Sequence, residues 1–343
     1  MLYKILADVS RPIKIKIKRA LVTGGAGFIG SHLCEELLSR GFKVYAIDNF
    51  ATSRKSNIAR LLKNKYFRFY KGSILDRTLM KRLINQCDIV YHMAAAVGVK
   101  YILDHPITSI LTNLNGTEIV LELASRYKKK VIIASTSEVY GKHVCLPFRE
   151  SDDRILGPTS ISRWSYAEGK AIDEFITLAY ANEKKLPVVI VRLFNTVGPR
   201  QTATYGMVLP RIIQQALNNK PITVYGDGEQ SRAFTYVLDV VGAIVDLSLT
   251  KKAEGQVFNI GNEQDISIKE FALKIKLKTH SKSPIKYISY KKAYGKRSIN
   301  FEDMQFRKPD ISKIKQMINY QPKYDIDAII DKTIDCFLNK GKK

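Results

Sequence analysis

Four glycines crowd the eight residues Thr23-Gly24-Gly25-Ala26-Gly27-Phe28-Ile29-Gly30, and what flanks them constrains the first half of the fold. Residues 18–23 form a short apolar run that reads as a buried strand. Ser31 to Arg40 has helical spacing and stops at Gly41. Val44-Tyr45-Ala46-Ile47-Asp48 is a second strand. Strand, glycine turn, helix and strand in this order form the unit that seats a dinucleotide pyrophosphate on a helix N-terminus. Asp48 stands 18 residues past Gly30, at the strand end. An acid there accepts the hydroxyls of the adenosine ribose and repels a 2′-phosphate. NAD is therefore expected over NADP, although Arg54 and Lys55 lie close by.

The alternation continues. Strands are expected at 67–70, 89–93, 130–134 and 188–192, with helices at about 76–86, 105–127 and 166–184. That pattern means an α/β fold with a Rossmann-type, doubly wound parallel sheet. Past residue 200 the pattern loosens. Helices at 206–218, 239–250, 267–278, 310–318 and 326–338 accompany strands at 222–225 and 256–260. The expected division is a dinucleotide-binding domain over 16–200, with returning segments near 222–260. A smaller, discontinuous substrate-binding lobe occupies mainly 201–338, and residues 1–15 form an N-terminal arm.

Composition narrows the function classes. No run of 18 or more apolar residues is present, so no membrane span is expected. The N-terminus lacks the apolar core of a signal peptide. Cys34, Cys87, Cys145 and Cys336 are scattered, as are the five histidines. Reduced thiols in a cytoplasmic protein, with no metal site, are expected. The net charge is +24, but basic residues do not interleave with aromatic ones as on stacking platforms. A lysine-rich surface that helps attract an anionic substrate is favoured over nucleic-acid binding.

Ser165-Tyr166-Ala167-Glu168-Gly169-Lys170 sets a tyrosine four residues before a lysine. On a helix both side chains share a face, and an ammonium beside a phenol favours the phenolate, a base near neutral pH. Ala134-Ser135-Thr136-Ser137-Glu138-Val139-Tyr140-Gly141 runs from a strand into a polar cluster. Strand ends facing the crevice are where such folds bind ligands, so the Thr136 hydroxyl can meet a reacting substrate oxygen. Met93-Ala94-Ala95-Ala96 offers small residues for close backbone approach. Asn195 and Arg200 end the 188–192 strand region, and Arg232 and Arg307 are further candidates for a diphosphate.

The glycine turn, TSEVYG, YxxxK, RLFNTVGPR, TVYGDGEQSRAFTYV and FRKPDI together resemble the extended short-chain dehydrogenase/reductases that modify nucleotide sugars, over roughly residues 17–338. The nearest branches are UDP-glucuronate and UDP-glucose 4-epimerases and UDP-glucuronate decarboxylases. The resemblance implies an NAD recycled at each turnover, a transient 4-keto sugar, and a homodimer whose interface includes the Tyr166 helix. It implies Tyr166 as the base at O4, Lys170 as the group that lowers its pKa and holds the nicotinamide ribose, and Thr136 as the catalytic hydroxyl beside Ser137 and Glu138. It implies cofactor contacts at Gly24, Gly27, Phe28, Ile29, Gly30, Asp48, Asn49, Ser73, Ile74, Ala94 and Ala95. Asn195, Val208, Arg232 and Arg307 fall to the UDP-sugar.

Two positions depart from the family pattern. Ser73 stands where an adenine-contacting aspartate is common. Ser137 stands where 4,6-dehydratases carry an acid, which argues against water elimination. The expectation is a UDP-sugar 4-epimerase acting on UDP-glucuronate or UDP-glucose. The alternative is UDP-glucuronate decarboxylase, and a non-catalytic NAD-binding regulator is the alternative of another class. Under the epimerase reading Arg200 receives the C6 carboxylate of a uronate and holds it off the axis of the C4 ketone, which suppresses loss of CO2.

Overall fold

The computed structural model describes residues 18–203 and 207–340. The expected arm over 1–15 lies outside the described residues. The first half runs β1 (Arg19–Thr23), α1 (Phe28–Ser39), β2 (Lys43–Asp48), β3 (Phe67–Lys71), α2 (Arg77–Gln86) and β4 (Ile89–His92). It continues with α3 (Val99–Asp104), α4 (Pro106–Arg126), β5 (Lys130–Thr136), α5 (Ser165–Lys184) and β6 (Val188–Leu193). The second half contributes β7 (Thr196–Val197), α6 (Val208–Leu217), β8 (Ile222–Tyr225), β9 (Ser231–Arg232), β10 (Thr235–Tyr236) and α7 (Val237–Leu249). Then come β11 (Gln256–Ile260), β12 (Ile266–Ser267), α8 (Ile268–Lys278), β13 (Ile285–Ile288), α9 (Tyr290–Tyr294), α10 (Ser312–Ile318) and α11 (Ile326–Lys340).

Seven strands form one parallel sheet in the order β11-β6-β5-β4-β1-β2-β3. Strands buried on both faces read as continuous apolar runs, and Ala20, Leu21 and Val22 of β1 are fully buried. One face packs against α1, α7 and α10 through Leu33, Leu37, Val240, Ile244 and Ile314. The other packs against α2 and α4 through Met80, Leu83, Ile119 and Val120, with Ile176 of α5 against it. The chain leaves β1 toward β2 on one side and returns to β4 on the other, so strand order reverses at β1. That reversal opens a crevice at the carboxyl ends of the strands. Gly24, Met93, Thr136 and Asn195 each follow or end one of these strands.

A second core joins α6, β8, α8 and α11 through Leu209, Ile213, Val224, Phe271 and Ile330. Here the structure adds what periodicity did not signal. Ile285–Ile288 pairs in parallel with β8, in a stretch whose lysines mask its short apolar pattern. β11 joins the large sheet, whereas β8 does not. Two-residue pairs, β7 with β10 and β9 with β12, tie Thr196–Val197 and Ser231–Arg232 into place. Among the described residues no helix is long and apolar enough to cross a membrane.

A buried polar network fastens α5 to the sheet. Arg192 on β6 donates to both oxygens of Glu174 on α5, from Nε at 3.0 and 3.2 Å and from Nη2 at 2.7 Å. Ser135 Oγ of β5 donates to the same carboxylate. Arg192 Nη1 donates to Tyr140 Oη at 2.9 Å, and that hydroxyl donates to Asn259 Oδ1 of β11 at 2.8 Å. Removing one member of a buried ion pair strands the other charge. Glu174→Ala is therefore expected to lose about 3–5 kcal/mol of stability, read as a lower urea midpoint. A midpoint equal to that of the wild type would contradict the network's structural role.

Candidate active site

The glycine turn is held by close contacts that admit no side chain. Gly24 has φ +66°, and a Cβ on it would sit 2.9 Å from the Ala94 Cα. A Cβ on Gly30 would lie 2.1 Å from the Gly24 carbonyl oxygen. Gly27 N–H donates to that oxygen at 2.9 Å and Gly27 caps α1 with no side chain, which leaves first-turn N–H groups for an anion. Phe28 and Ile29 open the helix, and Ile29 packs on the core. Ala94 N–H donates to Thr23 Oγ1 at 3.1 Å, and that hydroxyl lies 2.9 Å from His92 Nδ1. These contacts lock the loop after β4 onto the loop after β1.

Asp48 also builds its own turn. It accepts from Ala26 N at 3.0 Å, Phe50 N at 2.8 Å and Ser53 Oγ at 2.7 Å. A carboxylate offers about four lone-pair sites, so these donors leave room for about one ribose hydroxyl rather than two. Asn49 Oδ1 accepts from Ala51 N, and Ser73 Oγ from Leu75 N, so both side chains shape local turns. Ile74 is a core residue whose side chain fills the space opposite Gly116. Ala95 is half-buried in the loop after β4.

The polar cluster after β5 meets the start of α5. Thr136 Oγ1 accepts from Glu138 N at 3.2 Å. Ser137 Oγ is buried with no partner among the described residues. Glu138 accepts from Arg163 Nη1, and Arg307 Nη2 stands 3.4 Å from its other oxygen. Burial alone would raise the Glu138 pKa, but the charges of Arg163 and Arg307 outweigh it and hold the carboxyl at about 2. Arg307 is pulled down to about 10, mainly by burial, and its Nε has no partner among the described residues.

Tyr166 and Lys170 share one face of α5, as their spacing requires. Lys170 Nζ donates to Asp173 Oδ2 at 2.7 Å, both side chains being buried. Burial pushes the Tyr166 phenol above its ordinary range. Glu138 and Asp173 add to that rise, and Arg163 and Arg307 oppose it. Tyr166 thus stands above the ordinary phenol range where a lowered one was expected, and Lys170 is paired with Asp173. Asp173 escaped sequence reading because nothing in the pattern separates a buried acid from a surface one on a charged helix.

A cavity of about 190 Å³ brings together Glu138, Tyr166, Asn195, Val208, Arg232 and Arg307, as expected, with Arg163, Arg211, Tyr290 and Asp303. Asn195 takes φ +29°, and its Nδ2 donates to the Ala233 carbonyl at 3.4 Å. Arg232 donates to Asp303 Oδ1 at 2.9 Å, and Tyr290 Oη donates to the other Asp303 oxygen at 2.9 Å. Arg211 sits 4.2 Å over the Tyr225 ring and has an unpartnered Nε among the described residues. Its place near the start of α6, among the apolar residues of Val208–Leu217, gave no sign of a binding role.

Arg200 is the clear departure. At φ +71° the chain turns its guanidinium toward α1, where Nη2 donates to Glu35 Oε1 at 2.5 Å and Nη1 to Ser31 Oγ at 3.2 Å. It lines a separate cavity of about 270 Å³ with Phe28, Ser53, Arg54 and Asn57. Arg200 does not line the Tyr166 cavity, and its guanidinium pairs with Glu35 of α1 rather than facing the position expected for a uronate carboxylate.

Residues 21–333 match the family profile described as GDP-mannose 4,6 dehydratase. The chain is 45% identical over 321 residues to the UDP-N-acetyl-alpha-D-glucosaminuronate decarboxylase of Bacillus cytotoxicus, covering 93% of this chain and 98% of that one. It is 36% identical to UDP-glucuronic acid decarboxylase 1 of Xenopus tropicalis, over 93% and 72% of the two chains. In three dimensions it is similar to the UDP-glucuronic acid 4-epimerase of Bacillus cereus, solved with UDP-glucuronic acid and NAD. The TM-score is 0.84 at 31% identity, over 94% of this chain and 99% of that one. The UDP-glucose 4-epimerase of Thermotoga maritima, solved with UDP-glucose, matches with a TM-score of 0.83 at 28% identity, over 94% and 99%. The chain thus belongs to the extended short-chain dehydrogenase/reductases, the NAD-dependent nucleotide-sugar epimerase/dehydratase family, close to the UDP-glucuronate decarboxylases and 4-epimerases.

Proposed function

We propose that this enzyme is an NAD-dependent decarboxylase of a UDP-hexuronate, with UDP-glucuronate or its 2-acetamido counterpart as substrate. The observation that carries the reading is Glu138, held ionised between Arg163 and Arg307 in the cavity that contains Tyr166. The likeness to the Bacillus cytotoxicus decarboxylase over nearly its whole length supports it. The carboxylate contact that the epimerase reading gave to Arg200 is not supported by its pairing with Glu35. The epimerase reading keeps the likeness to the Bacillus cereus epimerase, and the two readings share their first step.

The residues present fit NAD. The crossing of Gly24 over Ala94 leaves backbone rather than side chain against the crevice, and the uncapped start of α1 suits a pyrophosphate. NAD supplies reversible acceptance of a hydride. Tyr166 accepts the O4 proton as C4 becomes a ketone, with Thr136 donating a hydrogen bond to that oxygen. A hexuronate oxidised at C4 is a β-keto acid. Its C5–C6 bond breaks, CO2 leaves, and the electron pair passes into the C4 carbonyl as an enolate that Tyr166 and Thr136 stabilise. Arg307, which lines the cavity with its Nε unpartnered among the described residues, orients the departing carboxylate, and C5 takes a proton that comes from solvent. Glu138 keeps that guanidinium in place. Arg232 and Arg211 are assigned to the UDP moiety.

Incubation with UDP-glucuronate and UDP-N-acetylglucosaminuronate in the presence of NAD is expected to release CO2 in step with consumption of one of them. A six-carbon epimer formed without CO2 would overturn the reading. Tyr166→Phe removes the proton acceptor and is expected to slow turnover by about 100-fold or more; near-normal turnover would remove Tyr166 from its role. Glu138→Gln leaves C4 oxidation intact and frees Arg307, so absorbance from NADH is expected to build up in a single turnover while CO2 release falls by about 100-fold. Equal loss of both signals would place Glu138 at substrate binding instead.

The exposed apolar side chains of α4 and α5, Ile107, Leu111, Ile172 and Phe175, support a homodimer through the helix that carries Tyr166. Sedimentation is expected to give twice the 38.9 kDa chain mass, and Phe175→Glu is expected to give a monomer. A monomeric wild type would contradict the assignment.

A further inference from the structure

Asp173 has no part in the chemistry described so far, yet it is the acid bonded to Lys170. It lies three residues along α5, its side chain is fully buried, and its Oδ2 accepts from Lys170 Nζ at 2.7 Å. Its Oδ1 has no partner among the described residues. A buried carboxylate with one oxygen unsatisfied costs free energy, and an apolar side chain of similar size would fill the same space without that cost.

The groups around the pair come from several elements. Glu138 reaches Tyr166 from the loop after β5, Arg163 from the turn before α5, and Arg307 from the segment before α10. From β4, His92 faces Lys170. Burial first, and the Lys170 charge second, push His92 to about 3, and its ring is bound by Thr23 at 2.9 Å and Thr117 at 3.3 Å. His92 therefore stays neutral and leaves Asp173 to balance the ammonium.

We propose that Asp173 is a positioning residue that anchors the Lys170 ammonium on its own helix and, by cancelling its charge, sets the pH at which the Tyr166–Lys170 pair loses its first proton. The proposal rests on the reading of Tyr166 as the base. Removing the Asp173 charge acts twice in one direction. A phenolate at Tyr166 loses a repelling neighbour, and the buried ammonium loses its counter-ion. For a coupled pair the observable is the first macroscopic proton loss, and both effects bring it to lower pH.

Asp173→Asn keeps the shape and an acceptor for Lys170 but removes the charge. Protein labelled with ¹³C at tyrosine Cζ and lysine Cε is titrated by NMR with NAD present, the signals being identified by their loss in Tyr166→Phe and Lys170→Met. The pH profile of kcat is measured alongside. In Asp173→Asn the first proton loss is expected to move down by roughly one pH unit, and the acid limb of kcat with it. Asp173→Glu, which restores the charge, is expected to move both back toward the wild type. If Asp173→Asn is folded by circular dichroism and its titration superimposes on the wild type, Asp173 is a structural partner only and the proposal falls. Should Asp173→Asn fail to fold, Asp173→Ser carries the same two outcomes. The NMR titration needs no turnover: a shifted midpoint in a chain that releases no CO2 would sink the decarboxylase reading and leave this one standing.

Discussion

The contact on which the site depends is the bidentate pair between Arg192 of β6 and Glu174 of α5. Two charges in a dry layer are stable only when their remaining donors and acceptors are satisfied. Here Ser135, Tyr140 and Asn259 complete the set, drawing in β5 and β11. Lys170 lies one helical turn before Glu174 and Tyr166 one turn before that, so the network fixes the height and rotation of the face that carries them against the strand ends. Tyr140 stacks on Phe148 at 4.9 Å, and Phe148 in turn belongs to the apolar cluster with Trp164, Ala167 and Phe194. The end of α5 that carries Tyr166 is thus held rigid by polar and apolar packing farther along it.

Charge in the cavity is arranged in alternation. Arg163, Arg232 and Arg307 are each held near an acid, Glu138 or Asp303. Arg211 leans instead on Thr223 and the Tyr225 ring. Such spacing keeps several guanidiniums together without mutual repulsion dispersing them, and it holds them as positioned rather than flexible donors. The turns that carry the pieces are themselves constrained. Asp303 binds Arg232 and Tyr290 together. Glu302 beside it accepts from Trp164 Nε1 at 2.9 Å and pairs with Lys142 at 2.6 Å. The segment before Arg307 is therefore fastened to both the sheet side and the smaller lobe.

Much of this was legible because it is local. The glycine turn, the β1–α1–β2 unit and the spacing of Tyr166 and Lys170 are set by residues within a few turns of one another. The alternation of strands and helices fixed the parallel sheet. What escaped depends on pairing across long separations. Ile285–Ile288 is a strand because β8 waits for it. Arg200 follows a left-handed backbone turn to Glu35, which lies 165 residues earlier. Asp173 and Asp303 carry no pattern of their own and gain meaning from Lys170 and Arg232. Epimerase and decarboxylase share the motif residues for the common first step, so those motifs do not separate the two.

The central claim is that the sugar loses its carboxyl carbon from a 4-keto intermediate. Turnover of the accepted UDP-hexuronate in D2O, followed by NMR of the product, tests it directly. Decarboxylation breaks C5–C6 and takes a proton from solvent at C5, so the account predicts a pentose with one deuterium at C5. Epimerisation returns the original hydrogen to C4 and leaves six carbons. A hexuronate product without deuterium at C5 would contradict the account.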